Sequence, residues 1–255
     1  MMIKGFQKLS LIEYPGKLSA IVFVGKCDFR CGFCYNIDLV KNYDKLPDIP
    51  EKKILDFLST RRGLLDAVAI TGGEPTIHKG LPAFMKKIKE LGFLVMLETN
   101  GSDPEMIKEL IDEKLVDYIA MDIKSPIEKY DEVAGVKVNK KKVQESIDII
   151  RNSELDYEFR TTVIPKIFKE EDALAIGKWL KGSKQFFLQQ FRPDKTLDES
   201  YQKIKPYPPE KLKEFAKMME SYFKSVKVRG IEILSCTRTS TTAPSTATTR
   251  KSSSN

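Results

Sequence analysis

Short apolar runs alternate with helical stretches along this chain, and that alternation limits the folds open to it more than any other feature. Residues 18–24, 66–70, 93–98, 118–123, 157–163 and 185–191 read as buried strands. Between them lie stretches with apolar residues at helical spacing, such as Leu81, Phe84, Met85 and Ile88, or Val143, Ile147 and Ile150. Gly92 can end one such helix, and Asp103-Pro104 can open the next as a cap followed by proline. Residues 3–24 read as a hairpin turned at Pro15-Gly16 that feeds the first buried strand. A helix from Pro208-Pro209 to Phe223 and a strand over 226–234 complete the pattern. Such alternation implies parallel strands joined by right-handed crossovers, with helices outside. Six strand–helix units fall short of the eight that close a full barrel, so the expectation is an α/β fold, an open partial β/α barrel over residues 1–234. Residues 235–255 break the pattern. Thirteen of these 21 residues are Ser or Thr, and the stretch is expected to be disordered.

Three of the four cysteines, Cys27, Cys31 and Cys34, follow directly on the first buried strand. Their spacing is C-x3-C-x2-C, and Asp28, Arg30 and Gly32 make the loop too polar for a core. Thiolates hold iron–sulfur clusters, and a cubane needs one ligand per iron. Three would leave one iron open to a substrate. A closed zinc site would need a fourth ligand, either Cys236 or His78, the only histidine. Three cysteines in one loop make a poor disulfide framework.

Net charge is +7, of which Arg238, Arg250 and Lys251 in the tail supply three, leaving +4 with no basic block. That balance argues against nucleic acid as a partner and is compatible with an acidic protein or reductant. No apolar stretch reaches membrane-spanning length, and the N-terminus lacks a signal-peptide apolar segment. A cytoplasmic, reducing setting with no membrane partner is the expectation.

In parallel α/β folds, sites collect at the C-terminal ends of strands. The first expected strand ends at the cysteines, the second at Gly72-Gly73-Glu74-Pro75, the third at Glu98-Thr99-Asn100-Gly101, and the fourth at Asp122 and Lys124. The fifth carries Arg160, and the sixth carries Gln189, Gln190 and Arg192. His78 reads as a surface loop residue.

This set resembles the radical S-adenosylmethionine (SAM) superfamily. The C-x3-C-x2-C loop with Phe33 before its last cysteine carries most of the likeness, and Gly72-Gly73-Glu74 matches a second motif. The resemblance implies a [4Fe–4S] cluster on Cys27, Cys31 and Cys34 and SAM as cofactor. The glycines would let backbone approach the methionyl part of SAM, with Glu74 orienting the loop. Within the superfamily, residues 9–16, Glu98-Thr99-Asn100-Gly101 and Met121-Asp122-Ile123-Lys124 resemble glycyl-radical-enzyme activating proteins, most of all those of anaerobic ribonucleotide reductase. That likeness implies a monovalent cation near Glu98 and Asp122, although Glu98 stands where Asp is usual. It also implies Arg160 as a SAM contact, Gln189 near the adenine, and Lys124 against the backbone of the partner protein. The implied partners are the reductase itself and a flavodoxin or ferredoxin-type reductant. The implied reaction is reductive cleavage of SAM to a 5′-deoxyadenosyl radical that takes a hydrogen atom. A small-molecule enzyme such as a 7-carboxy-7-deazaguanine synthase, and a non-catalytic metal-binding scaffold, are the competing readings.

Overall fold

The computed structural model describes residues 1–231; Cys236, the tail and the end of the strand expected over 226–234 lie outside the described residues. In chain order the elements are β1 (Ile3–Ser10), β2 (Ser19–Val24), α1 (Ile37–Val40), α2 (Glu51–Ser59), β3 (Ala67–Gly72), α3 (Leu81–Glu90), β4 (Leu94–Thr99), α4 (Pro104–Asp112), β5 (Tyr118–Asp122), α5 (Tyr130–Ala134), α6 (Lys140–Asn152), β6 (Asp156–Val163), α7 (Glu170–Trp179), β7 (Gln185–Gln190), α8 (Pro209–Met219) and β8 (Ser225–Arg229). The eight strands form one sheet in sequential order. β1 is antiparallel to β2, and β2 to β8 are all parallel. β1 and β8 are not paired with each other, so the barrel is open, as the count of strand–helix units predicts.

The outward faces of the strands supply Val22, Ile70, Val95, Leu97, Ile119, Phe159, Phe186 and Leu188, all buried beneath the helices. The helices cover them with Ile54 and Leu58 of α2, Phe84 and Ile88 of α3, Ile107 and Leu110 of α4, Val143 and Ile147 of α6, and Leu212 and Phe215 of α8. Burial on both faces explains why these strands read as apolar runs with little alternation. The expected caps form: Asp103 accepts from the Met106 amide, and Gly92 takes a left-handed φ of 89° past the end of α3. The last helix is shorter than its pattern suggests, because α8 stops at Met219 and residues 220–222 tighten into a single 3-10 turn. α1 and α5 are one-turn helices too short to leave a periodic signal.

Inside the barrel the lower layer is a second core of Ile21, Ala67, Ala69, Met96, Tyr118 and Ala120. The small alanines leave room for Tyr14, which comes from the β1–β2 connection and packs on Tyr118 with ring centroids 5.5 Å apart. The turn at Tyr14-Pro15-Gly16-Lys17 closes with a Lys17 N–H to Tyr14 carbonyl bond of 3.2 Å, and Gly16 supplies φ of 70°. The connection is therefore a plug in the barrel as well as a hairpin turn. Among the described residues no helix is long and apolar enough to cross a membrane.

Candidate active site

A cavity of about 570 Å³ opens at the C-terminal ends of the parallel strands. Cys27, Cys31, Cys34, Phe33, Gly72, Gly73, Glu74, Glu98, Asn100, Asp122, Lys124, Arg160 and Gln189 all line it. The structure thus brings every candidate site residue to one place.

The cysteine loop is held from several directions. Lys26, just past β2, turns it with a left-handed φ of 72° and donates its amide to the Leu39 carbonyl in α1. The Arg30 amide donates to Ala134 at the end of α5, where Gly135 lies so close that a Cβ would meet the Arg30 carbonyl at 2.3 Å. Amides of Leu197 and Asp198, in the β7–α8 connection, donate to the carbonyls of Cys34 and Gly32 at 2.9 Å each. Gly32 faces the ring of Tyr201, and Phe33 lies 6.4 Å from that ring. All three cysteines are free. Burial pushes their thiols up, Cys31 to about 11, while the Lys124 charge acts in the opposite sense on each. Among the described residues no three His, Cys, Asp or Glu side chains converge on one point as a single metal ion's ligands do; Cys236, one of the two candidates for a fourth zinc ligand, lies outside the described residues. Three free thiols around one cavity fit a larger group that takes one thiolate per iron.

Gly72 and Gly73 have a physical reason to be glycine. Gly72 has φ of 120°, and a Cβ there would meet the Val24 carbonyl at 2.5 Å; a Cβ on Gly73 would stand 1.9 Å from the Lys26 carbonyl. The glycine pair lets β3 press against the root of the cysteine loop. The amides of Gly73 and Glu74 seal the junction, donating to the carbonyls of Val24 and Lys26. A side chain at Gly73 therefore strikes the cysteine loop itself, not the cavity alone. His78 adds to this anchoring. It is half-buried, with Nε2 2.9 Å from the Gly25 carbonyl and hence donating, so it is not the free surface residue its loop context suggests.

Glu74 is buried and orients its surroundings. It accepts from the Thr76 amide and hydroxyl, from Thr99 Oγ1 at 2.7 Å and from the Asn100 amide at 2.7 Å. Burial, reinforced by Asp28, raises its carboxyl to about 7. Asn100 in turn donates from Nδ2 to Asp28 at 2.8 Å, tying the end of β4 to the cysteine loop. Asn36 does the same for β3 by donating to the Gly72 carbonyl at 2.9 Å.

Across the cavity stands a charge network. Arg160 donates two parallel bonds to Glu98, at 2.9 and 2.7 Å, and a third from Nε to Asp122. Thr71 donates to Glu98 at 2.7 Å, and Lys124 to Asp122 at 2.9 Å. Burial alone would raise both carboxyls, but the Arg160 charge holds Glu98 and Asp122 below the ordinary carboxylate range. Lys124 was a candidate contact for a partner's backbone. Its side chain is only 13% exposed and lies between Asp122 and Cys31, facing the thiols.

Glu13 of the plug is a member of this site that sequence reasoning missed. It lines the cavity and shares a hydrogen bond with Glu98, and burial together with that bond raises its carboxyl to about 8. One layer down, Glu158 is fully buried and paired to Arg229 and the Tyr118 hydroxyl, and Arg229 stacks on Phe187 at 3.7 Å. Tyr130, whose ring packs edge-on against Phe29 of the cysteine loop with centroids 6.5 Å apart, and Gly135 and Tyr201 also escaped notice. Each acts through a contact far away in the chain, and none stands in a motif.

An open six-unit β/α barrel with a three-cysteine loop after its first parallel strand defines a class of cofactor-holding enzymes, and the match to known families makes the assignment specific. The chain belongs to the radical SAM superfamily, whose profile matches residues 21–176. It is 35% identical over 237 residues to a protein of Methanocaldococcus jannaschii named as a candidate glycyl-radical enzyme activating enzyme, a match covering 90% of this chain and 96% of that one. It is 30% identical over 128 residues to the 7-carboxy-7-deazaguanine synthase of Thermococcus kodakarensis, covering 43% of this chain and 50% of that one. Among solved structures, Streptococcus suis SuiB bound to S-adenosylmethionine superposes with a TM-score of 0.59 at 17% identity, covering 80% of this chain and 48% of that one. The structure of anSMEcpe with bound AdoMet gives a TM-score of 0.55 at 18% identity, covering 80% of this chain and 61% of that one. These likenesses establish the partial-barrel fold. Membership of the superfamily implies SAM and a [4Fe–4S] cluster as cofactors.

Proposed function

We propose that this chain is an activase that takes a hydrogen atom from a backbone glycine of a separate protein, with anaerobic ribonucleotide reductase as the partner. The observation that carries this reading is the end-to-end match to the M. jannaschii relative, against a match to the deazaguanine synthase confined to less than half the chain. The bound cluster and SAM would supply reductive cleavage of the sulfonium and a 5′-deoxyadenosyl radical able to abstract hydrogen.

The chain's own residues supply placement. Cys27, Cys31 and Cys34 would hold three irons. Lys124 sets a positive charge beside them, which favours thiolate over thiol. Gly72 and Gly73 lock β3 to the loop, and Glu74 fixes Thr99 and Asn100 on the opposite rim. Glu98, Asp122, Arg160 and Lys124 form a wall of paired charges suited to the zwitterionic methionyl end of SAM, and Gln189 lies farther along the same cavity, on the side assigned to adenine. The Tyr14 plug closes the barrel below and keeps water from the reacting centre from that side. The reductant is a flavodoxin or ferredoxin-type protein.

The test mixes the reduced, SAM-loaded protein with the anaerobic ribonucleotide reductase of the same organism under strict anaerobiosis. A glycine-centred doublet in electron paramagnetic resonance, with stoichiometric 5′-deoxyadenosine, is the expected result. No doublet, together with turnover of a pterin-like compound, would move the assignment to the small-molecule class.

A further inference from the structure

The resemblance to activating proteins implies an alkali cation between the Glu98 and Asp122 segments, and the residues present do not fit one. Each of the four carboxylate oxygens of Glu98 and Asp122 already accepts from a fixed group of the chain. Glu98 Oε1 accepts from Arg160 Nη1 at 2.9 Å, and Oε2 accepts from Nη2 and from Thr71 Oγ1, both at 2.7 Å. Asp122 Oδ1 accepts from Arg160 Nε, and Oδ2 from Lys124 at 2.9 Å. Two carboxylates therefore face one guanidinium and one ammonium, and the formal charge of the set is zero. Glu98 and Arg160 are each 8% exposed and the Asp122 side chain 29%, so an added monovalent cation would enter a mostly buried, already balanced site.

The length of the Glu98 side chain makes this arrangement possible. Glu98 is on β4 and Arg160 on β6, with β5 between them. The bidentate contact spans that extra strand. An aspartate, one methylene shorter by about 1.5 Å, would fall short of the guanidinium and leave its own oxygens open.

We propose that Arg160, seconded by Lys124, stands in place of the alkali cation, so that SAM is held and cleaved here without one. Arg160 is then a positioning residue whose guanidinium supplies a fixed positive charge. The inference rests on SAM occupying this cavity, as proposed above. The experiment uses the reconstituted holoprotein exchanged into tetramethylammonium, sodium or potassium buffers. SAM affinity is read by equilibrium dialysis, and 5′-deoxyadenosine formation is read separately. Wild-type affinity should agree within about twofold across the three salts, whereas Glu98→Asp should bind SAM about tenfold more weakly in tetramethylammonium than in potassium. A wild-type protein that needs sodium or potassium by about tenfold overturns the proposal, and so does a Glu98→Asp variant indifferent to salt. A second arm needs neither SAM nor turnover. Thallous ion titrated into the protein and followed by thallium NMR should reveal no saturable site in the wild type. A saturable site abolished by Asp122→Asn would overturn the proposal even if SAM bound in no salt, and the absence of SAM binding in every salt would by itself overturn the reading on which it rests.

Discussion

Adding a single methyl group at Gly73 should cost the protein its cluster. The Cβ of Gly73→Ala would stand 1.9 Å from the Lys26 carbonyl oxygen and 2.6 Å from its carbon. Ordinary contact begins near 3.4 Å, so the peptide must retreat by about 1.5 Å. That peptide joins Lys26 to Cys27, and its carbonyl accepts the Glu74 amide at 2.9 Å. Overpacking of this kind costs about 1–3 kcal/mol, and loss of the Glu74 bond adds about 1 kcal/mol. At about 2–4 °C per kcal/mol for a domain of this size, the apo protein should melt roughly 4–16 °C lower. The displaced Cys27 should also leave the reconstituted protein with well under half the wild-type iron and sulfide. Gly92→Ala is the control: it adds the same methyl group where nothing lies within 4 Å of the Cβ, so despite a left-handed φ of 89° it should show only backbone strain of about 1 kcal/mol and full cluster loading. Apo melting by calorimetry and iron and sulfide analysis after anaerobic reconstitution provide the readouts. If Gly73→Ala loads a full cluster and melts within about 2 °C of wild type, the close approach of β3 to the cysteine loop is not what the glycine is for.

Three further outcomes follow from the same geometry. Cys31→Ala should lose the cluster on reconstitution while Cys236→Ala keeps it, and normal iron content in the first variant would remove Cys31 from the ligand set. Glu13 has a carboxyl raised in the folded protein to about 8, so its contribution to stability is full below pH 4.5 and is lost as pH rises toward 8. The stability of wild type relative to Glu13→Gln should therefore fall by up to about 4 kcal/mol from pH 5 to 8.5, as denaturant melts at the two pH values would reveal; a constant difference would refute the burial of a protonated Glu13. Arg229→Met strips the charged partner from the fully buried Glu158 and should destabilise the protein by about 3–5 kcal/mol, read by denaturant melts at neutral pH; a loss below about 1 kcal/mol would mean the pair is solvated.

The elements legible in the sequence were those whose physics is local. Val68, Ile70, Leu97 and Ile119 announce strands buried on two faces, and Phe84, Ile88, Val143 and Ile147 announce helices by their spacing. The cysteines, Gly72, Gly73, Glu74, Glu98, Asp122 and Arg160 were found because motif residues gather at strand ends in this architecture. What each does there was less visible. Nothing local in the sequence shows that Arg160 is tied to Glu98, 62 positions away, or that the side chain of Lys124, the residue the resemblance sets against a partner's backbone, is largely buried and paired with Asp122. Glu13 was missed because a loop residue before a Pro-Gly turn carries no sign that its loop folds back into the barrel. Tyr201 was missed because its contact with Gly32 lies more than 160 residues away along the chain, beyond any local pattern.

The anchoring of the cysteine loop from the β7–α8 connection sets an order of events in the cell. Residues 27–34 leave the ribosome early, but the amides of Leu197 and Asp198 that hold the Cys34 and Gly32 carbonyls are made more than 160 residues later. At about 5–20 residues per second, that is a delay of roughly ten to thirty seconds. Throughout that interval three thiols are present on a nascent chain without the contacts that shape their loop. Whatever delivers iron and sulfide must wait for, or bridge, the completion of the last third of the chain, and any cluster gained earlier would sit in an unfinished site open to oxygen.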